Sequence, residues 1–215
     1  MATKAANRAP RKPGRPPADG TDQRERLLDA ALTRFSEAGI AATSLRSLAH
    51  ATGVTPAMLN YYFGSKKRLV EAIVEERLLP IILRQKQALL AGPAGGDLAV
   101  RFISGLHATV ASHPWLPALW VREVLSEGGQ LREVFVERIG PQLAVPLVSR
   151  FKAAQDDGEI NASLDPRLLF VSLIGLVMVP FAAEPIWGKV FGAHGIGPDE
   201  LLTHTLALVT SGIEA

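Results

Sequence analysis

The chain has 215 residues, 47% hydrophobic and 20% charged, which is enough apolar material to bury a sizeable core in one or two domains. It contains no cysteine, so disulfides, thiolate metal sites and a cysteine nucleophile are excluded. The net charge of +2 hides an asymmetry: residues 1–68 carry 12 Lys and Arg against 5 Asp and Glu, and the remainder carries 11 against 16. A basic front and an acidic back suit a protein that meets phosphate at one end only.

Residues 1–20 are rich in Ala, Pro, Arg and Lys and show no apolar periodicity, so they read as a disordered basic arm. Within them Arg11-Lys12-Pro13-Gly14-Arg15-Pro16-Pro17 resembles an AT-hook core. Proline keeps such a segment extended, and Arg15 could enter a narrow A·T minor groove. A basic tail that touches phosphates is the alternative reading. No apolar run follows the basic start, so a secretory signal is not expected and the default location is cytoplasmic.

A first helix is expected from Thr21 or Asp22 to about Ala38, with Leu27, Leu28, Ala31, Leu32 and Phe35 on one face and Gly39 ending it. Next comes Thr43–Lys67, two short helical patterns around a turn. Ser44 is a candidate N-cap, and Leu45, Leu48 and Ala49 share a face. Gly53 can take positive φ and close that helix. Ala49 and Gly53 are also small where the two helices should approach. Thr55 caps the following helix with Pro56 at its first position. Leu59 and Phe63 face inward, which leaves Ala57, Met58, Asn60, Tyr61 and Tyr62 largely outward. This is a helix-turn-helix layout, whose second helix enters the DNA major groove. Phe35 and Ile40 should pack beneath it.

Ser65 caps a further helix that begins with Lys66, Lys67 and Arg68 and runs to roughly Leu90. Pro80 lies inside that pattern and should bend it. Ala91 to Gly96 is a break. Helical periodicity resumes near Asp97–Ser112, Pro114–Ser126, Gln130–Gln155, Pro166–Ala183 and Pro198–Gly212, and no stretch alternates as a strand does. The expected fold class is therefore all-α: a three-helix helix-turn-helix unit over residues 21–68 and a larger helical bundle over 69–215. Leu168 to Ala183 is uncharged over sixteen residues, short of the roughly 20 that span a membrane. It reads as a helix buried on all sides, partly by a second copy of the chain, with Gly175 and Ala182 permitting close approach.

The residues from Thr43 to Lys67 resemble the DNA-binding domain of the TetR/AcrR family of one-component regulators. The resemblance rests on Thr43, Ser44, Leu45, Arg46, Leu48, Ala49, Thr52, Gly53, Val54, Thr55, Leu59, Tyr62, Phe63, Ser65 and Lys66. Asn60 departs from it where the family usually has Tyr, and Ala57 and Met58 depart where Gly and Thr are common. These outward positions vary with the operator, so they bear on the DNA sequence recognised.

The resemblance implies a homodimeric repressor that binds a double-stranded DNA operator and is released by a small hydrophobic inducer. Ala57, Met58, Asn60 and Tyr61 would face bases or sugar-phosphate, Ser44, Thr55, Tyr62 and Lys66 would hold phosphates, and Arg46 and Pro56 are further DNA-binding candidates. Asn60 can pair with an adenine edge, and Met58 or Ala57 can touch a thymine methyl. The Pro166–Ala183 and Pro198–Gly212 helices would form a four-helix dimer interface.

The inducer would sit in the middle of the bundle, where Phe102, Leu106, His107, Trp115, Leu119, Trp120, Glu123 and Phe135 are the candidate lining residues. An aromatic stripe at helical spacing is also what a plain core looks like, and for Phe102 and Trp120 both readings stand. Metal is not expected: His107 and His113, six apart on a helix, point about 120° away from each other. Neither a nucleophile elbow nor a phosphate-cradling glycine loop is present, so the chain is not expected to be an enzyme or to need a cofactor.

Overall fold

Helices, and no strand, build what the computed structural model describes, which is residues 19–92, 97–192 and 196–213. Arg15 and the basic arm around it lie outside the described residues. Helix α1, Asp19–Ala38, starts slightly ahead of the expected cap and ends at Gly39, whose φ of +87° suits a residue without Cβ. α2 (Leu45–Thr52), α3 (Pro56–Phe63) and α4 (Lys66–Ile73) follow in close succession. Leu27, Leu28, Ala31, Leu32 and Phe35 of α1 are buried against Leu48, Leu59, Phe63 and Leu69.

The helix that leaves this unit does not break at Pro80. A π-helical turn, Val74–Leu78, joins α4 to α5 (Leu79–Ala91). Proline has no N–H and its ring crowds the carbonyl four residues back, here that of Glu76. Widening the preceding turn relieves the crowding: Leu79 N–H donates five residues back to the Val74 carbonyl, and Arg77 Nη1 donates to the Glu76 carbonyl at 3.3 Å. The C-terminal end of α5 is closed from a distance, because the Arg150 guanidinium donates to the carbonyls of Leu89, Leu90 and Gly92 at 2.7–3.0 Å.

The bundle continues with α6 (Asp97–Ser112), α7 (Leu116–Trp120), a second π-turn (Val121–Leu125), the single turn α8 (Arg132–Val134) and a third π-turn (Phe135–Ile139). Then come α9 (Gly140–Asp156), α10 (Pro166–Val190) and α11 (Pro198–Ile213). The third π-turn repeats the logic of the first. It ends at Gly140, immediately before Pro141, and Gly140 N–H reaches back to the Phe135 carbonyl.

α10 runs seven residues beyond its expected end, through both Pro180 and Pro185. It is long and apolar enough to cross a membrane, with a mean hydropathy of 2.0, and 28% of its most apolar window is buried. Burial on all sides is therefore not what one chain provides. Leu169, Phe170, Leu173, Val177 and Met178 face inward, while Leu168, Val171, Val179, Ile186 and Val190 are exposed. The exposed residues recur at spacings of three, four, seven or eight, which places them along one helix face.

Two apolar cores result. The second gathers Phe102, Ile103, Leu147, Phe151 and Leu173 in the bundle. The first lies under the three N-terminal helices and draws in Leu78, Leu119, Leu131 and Ile139 from beyond residue 68.

Phe35→Ala should lower stability by about 3–5 kcal/mol, because a fully buried ring leaves a cavity the helices cannot collapse around. Gly53→Ala should cost only about 1 kcal/mol, since its φ of +69° is strained for alanine but the space beside it is open. Urea unfolding followed by circular dichroism measures both.

Candidate nucleic-acid interface and apolar cavity

The helix-turn-helix is held by short-range bonds written in its sequence. Ser44 Oγ accepts from Ser47 N–H, and Ser47 Oγ accepts from Ser44 N–H, both at 3.0 Å, a capping box with serine at both positions. After α2, Gly53 takes φ of +69°, and Val54 N–H returns to the Ala49 carbonyl at 3.0 Å. A Cβ on Gly53 would meet nothing within 4 Å, which corrects the expectation that it is small for close helix approach. Its role is conformational. Thr55 Oγ1 accepts from Met58 N–H at 3.2 Å, with Pro56 at the first position of α3.

This geometry buries Leu59 and Phe63 and leaves Thr55, Pro56, Ala57, Met58, Asn60 and Tyr61 exposed on one short helix. Tyr61 is 84% exposed, an unusual amount of aromatic surface to leave in water. Tyr62 departs from its expected outward position. It is half-buried against the first core, with its ring edge-on to Tyr61 at 5.4 Å. Ser44 and Arg46 are exposed on α2, and Lys67 and Arg68 at the start of α4. Lys66 is half-buried, and its Nζ donates to the Ala41 carbonyl at 3.0 Å. An ammonium has three donors, so this bond anchors Lys66 and leaves two for another acceptor. Ser65 Oγ accepts from Arg68 N–H, so the earlier N–H groups of α4 remain for an anion.

Above this unit lies a cavity of about 120 Å³. Phe102, Leu106, Leu119, Trp120 and Phe135 line it, as expected, and the Trp120 and Phe135 rings meet edge to face at 4.5 Å. The sequence reading missed Ile81, Ile82 and Gln85 of α5 and Phe170, Ile174 and Met178 of α10. Gln85, flanked by Arg84 and Lys86 in a polar stretch, gave no local sign of lining a cavity. Among the described residues Gln85 and Thr109 are the polar side chains of the wall, and none that lines it is charged. Thr109 Oγ1 is already committed to the Gly105 carbonyl at 2.8 Å.

Three expected lining residues lie elsewhere. His107 is on another face of α6, 5% exposed, with its ring 5.1 Å from Phe181 and Nε2 without a hydrogen-bond partner among the described residues. Trp115 packs on the first core and against His113, because it precedes α7 and the chain turns there. Glu123 is 4% exposed and is turned away from the cavity towards backbone: Oε1 accepts from Ile40 N–H at 2.8 Å and Oε2 from Gln130 N–H at 2.9 Å. Pattern alone marked all three as bulky or polar; it carried no sign of which way the helix is rotated. Among the described residues no group of His, Asp and Glu could hold a metal.

The first π-turn grips α1 by charge. Arg24 forms a two-pronged pair with Glu76, and Arg77 reaches Glu25 and Asp29 at 2.6 and 2.8 Å. Glu75, on the same turn, pairs with Arg138 of the third π-turn. The hydrogen bond from Arg24 holds the Glu76 carboxyl below its ordinary pKa, against the opposing effect of partial burial.

Comparison with known proteins places these features. The profile described as bacterial regulatory proteins, tetR family, matches residues 27–73. The transcriptional repressor KstR2 of Rhodococcus jostii is 27% identical over 160 residues, which is 72% of this chain and 78% of that one. The structure of ketosteroid transcriptional regulator KstR2 of Mycobacterium tuberculosis aligns with 90% of this chain and 95% of that chain at a TM-score of 0.73 and 19% identity. Transcriptional regulator FadR from Bacillus subtilis, in complex with stearoyl-CoA, aligns with 88% and 99% at a TM-score of 0.66 and 20% identity. At those identities the two structures show the same fold.

Glu76→Gln should lower stability by less than about 1 kcal/mol at neutral pH, since both partners are about one-third exposed and solvent screens them. Because the folded pKa is depressed, the contribution is present above the unfolded carboxylate value and lost as pH falls through the lower folded value. Unfolding of both proteins across acidic pH should show the difference between them shrinking to nothing.

Proposed function

The chain belongs to the TetR family of bacterial transcriptional regulators, and from that premise we propose that it is a cytoplasmic repressor released from a palindromic operator by an uncharged hydrophobic ligand. The observation that carries this reading is the pairing of two features in one chain. A capped α3 presents Met58, Asn60 and Tyr61 to solvent, and a cavity with an almost wholly carbon wall shares Leu78, Leu119, Leu131 and Ile139 with the core on which α3 packs. Met58 and Asn60 supply a methyl contact and a two-bond amide for base edges. Lys66, Arg46 and the N-terminus of α4 supply phosphate contacts, which set affinity and register.

The cavity wall favours a neutral, apolar molecule or part of one. A charged group placed there would lose its hydration and gain no ion pair. The FadR complex contains stearoyl-CoA; an acyl tail suits this wall and a phosphate-bearing headgroup does not. A second copy of the chain would cover the exposed stripe of α10, where Leu168, Val171, Val179, Ile186 and Val190 otherwise face water beside Leu208 of α11. Such isologous pairing matches a two-fold operator.

Fragments of genomic DNA selected by the purified protein test the reading, and failure to select any at low salt overturns it. On a selected fragment, Tyr61→Ala should weaken binding at least tenfold, about 1.4 kcal/mol. Lys66→Ala should weaken it less and reduce the salt dependence by about one counterion. Val171→Glu and Ile186→Glu should give monomers in sedimentation and lose operator binding together with the dimer. An unchanged dimer would remove α10 from the interface.

A further inference from the structure

Glu123 sits where the cavity wall and the N-terminal helix-turn-helix unit, the reading head of the proposed repressor, touch the same turn of chain. Val124, the next residue of the second π-turn, and Trp120, the last residue of α7, line the cavity, as does Leu131, whose N–H donates to the Glu123 carbonyl at 3.0 Å. Its carboxylate leaves the cavity and spans two backbone groups: Gln130 N–H, one residue from Leu131, and Ile40 N–H, in the turn between α1 and α2. That turn is tight on both sides. Thr43 Oγ1 donates to the Gly39 carbonyl, Thr43 N–H donates to the Ile40 carbonyl, and Ser44 caps α2 immediately after.

The surroundings leave little room for Glu123 to move alone. A Cβ on Gly129 would lie 2.4 Å from the Glu123 carbonyl oxygen, so backbone presses on backbone there. A Cβ on Gly39 would lie 3.1 Å from Arg122 Cδ and 3.2 Å from Glu123 Oε1. Arg122 Nε adds a bond to the Ser36 carbonyl at 3.3 Å, which closes α1 from the same side. A wall residue displaced by a ligand therefore displaces the carboxylate, and the carboxylate is bonded to the backbone that orients α2 and α3.

We propose that Glu123 is a positioning residue that couples the cavity to the reading head, through its paired hydrogen bonds to Ile40 and Gln130. The proposal rests on the cavity being a ligand site. Among the described residues neither N–H group has another partner to take the place of the carboxylate when the turn moves, so the reading head follows the turn.

Benzene is a suitable probe, since an apolar cavity of roughly 150 Å³ is known to hold it and this one is of similar size. In the full chain, benzene should shift the NMR signals of the Val124 and Leu131 methyl groups and the Ile40 amide together. In Glu123→Leu, close in size and without any acceptor, the methyl shifts should persist while the Ile40 shift is lost. Ile40 amide exchange should also quicken by about tenfold. Glu123→Asp, too short to span both N–H groups, should behave the same way and serves where the leucine variant fails to fold. An Ile40 shift that survives in both variants overturns the proposal, even where their melting temperatures fall, because that is the signature of a merely structural bond. No shift at Val124 or Leu131 in the wild type overturns the cavity reading itself and the proposal with it.

Discussion

Leu119, Leu131 and Ile139 are buried in the same apolar core as Leu27, Phe35, Leu48 and Leu59. This shared core is the constraint on which the rest of the molecule depends. Each such side chain contributes roughly 1.5–3 kcal/mol by leaving water, whereas an exposed ion pair contributes about 0–1 kcal/mol. The pairs between α1 and the first π-turn therefore set the angle at the junction, and the apolar contacts supply its cohesion. The small helix-turn-helix unit has no freedom to swing independently of the bundle without exposing that core.

Proline placement turns this constraint into a chamber. Pro80 and Pro141 each follow a π-turn, and both turns send residues into the cavity: Leu78 from the first, Phe135 and Ile139 from the third. A regular α-turn before either proline would meet ring against carbonyl. The wider turn relieves that contact and rotates the side chains that follow. The second π-turn, without a following proline, ends instead where Ser126 Oγ and N–H both donate to the Val121 carbonyl. Three wide turns around one cavity give it a wall that touches the reading head in two places, at α1 by charge and at the α1–α2 turn by Glu123.

α10 faces two ways. One side supplies Phe170, Ile174 and Met178 to the cavity, and the other exposes a continuous apolar stripe. Its mean hydropathy resembles that of a membrane span, but its inward face packs on α6 and α9, as a soluble core helix does. A helix that is apolar all round needs cover on both sides. In this fold one half of that cover comes from the chain itself, and the proposed second copy would supply the other.

The helix-turn-helix was legible because its determinants are local. Ser44, Gly53, Thr55 and Pro56 act within four residues of the groups they satisfy, so their spacing alone specifies two helices, the turn and the outward set on α3. Leu59 and Phe63 were likewise readable from a four-residue period, as were five of the cavity residues. The rest was decided by packing between segments far apart in sequence. Periodicity marks an apolar face but not what opposes it, which is why His107 and Trp115 read as lining while Ile81, Ile82 and Met178 did not. Tyr62 turned inward because Phe63 and the first core left it a half-buried seat. Glu123 read as a polar handle for a ligand. Only the tertiary structure could place it 83 residues from its partner Ile40, since a hydrogen bond to a distant backbone N–H leaves no pattern in the chain that forms it.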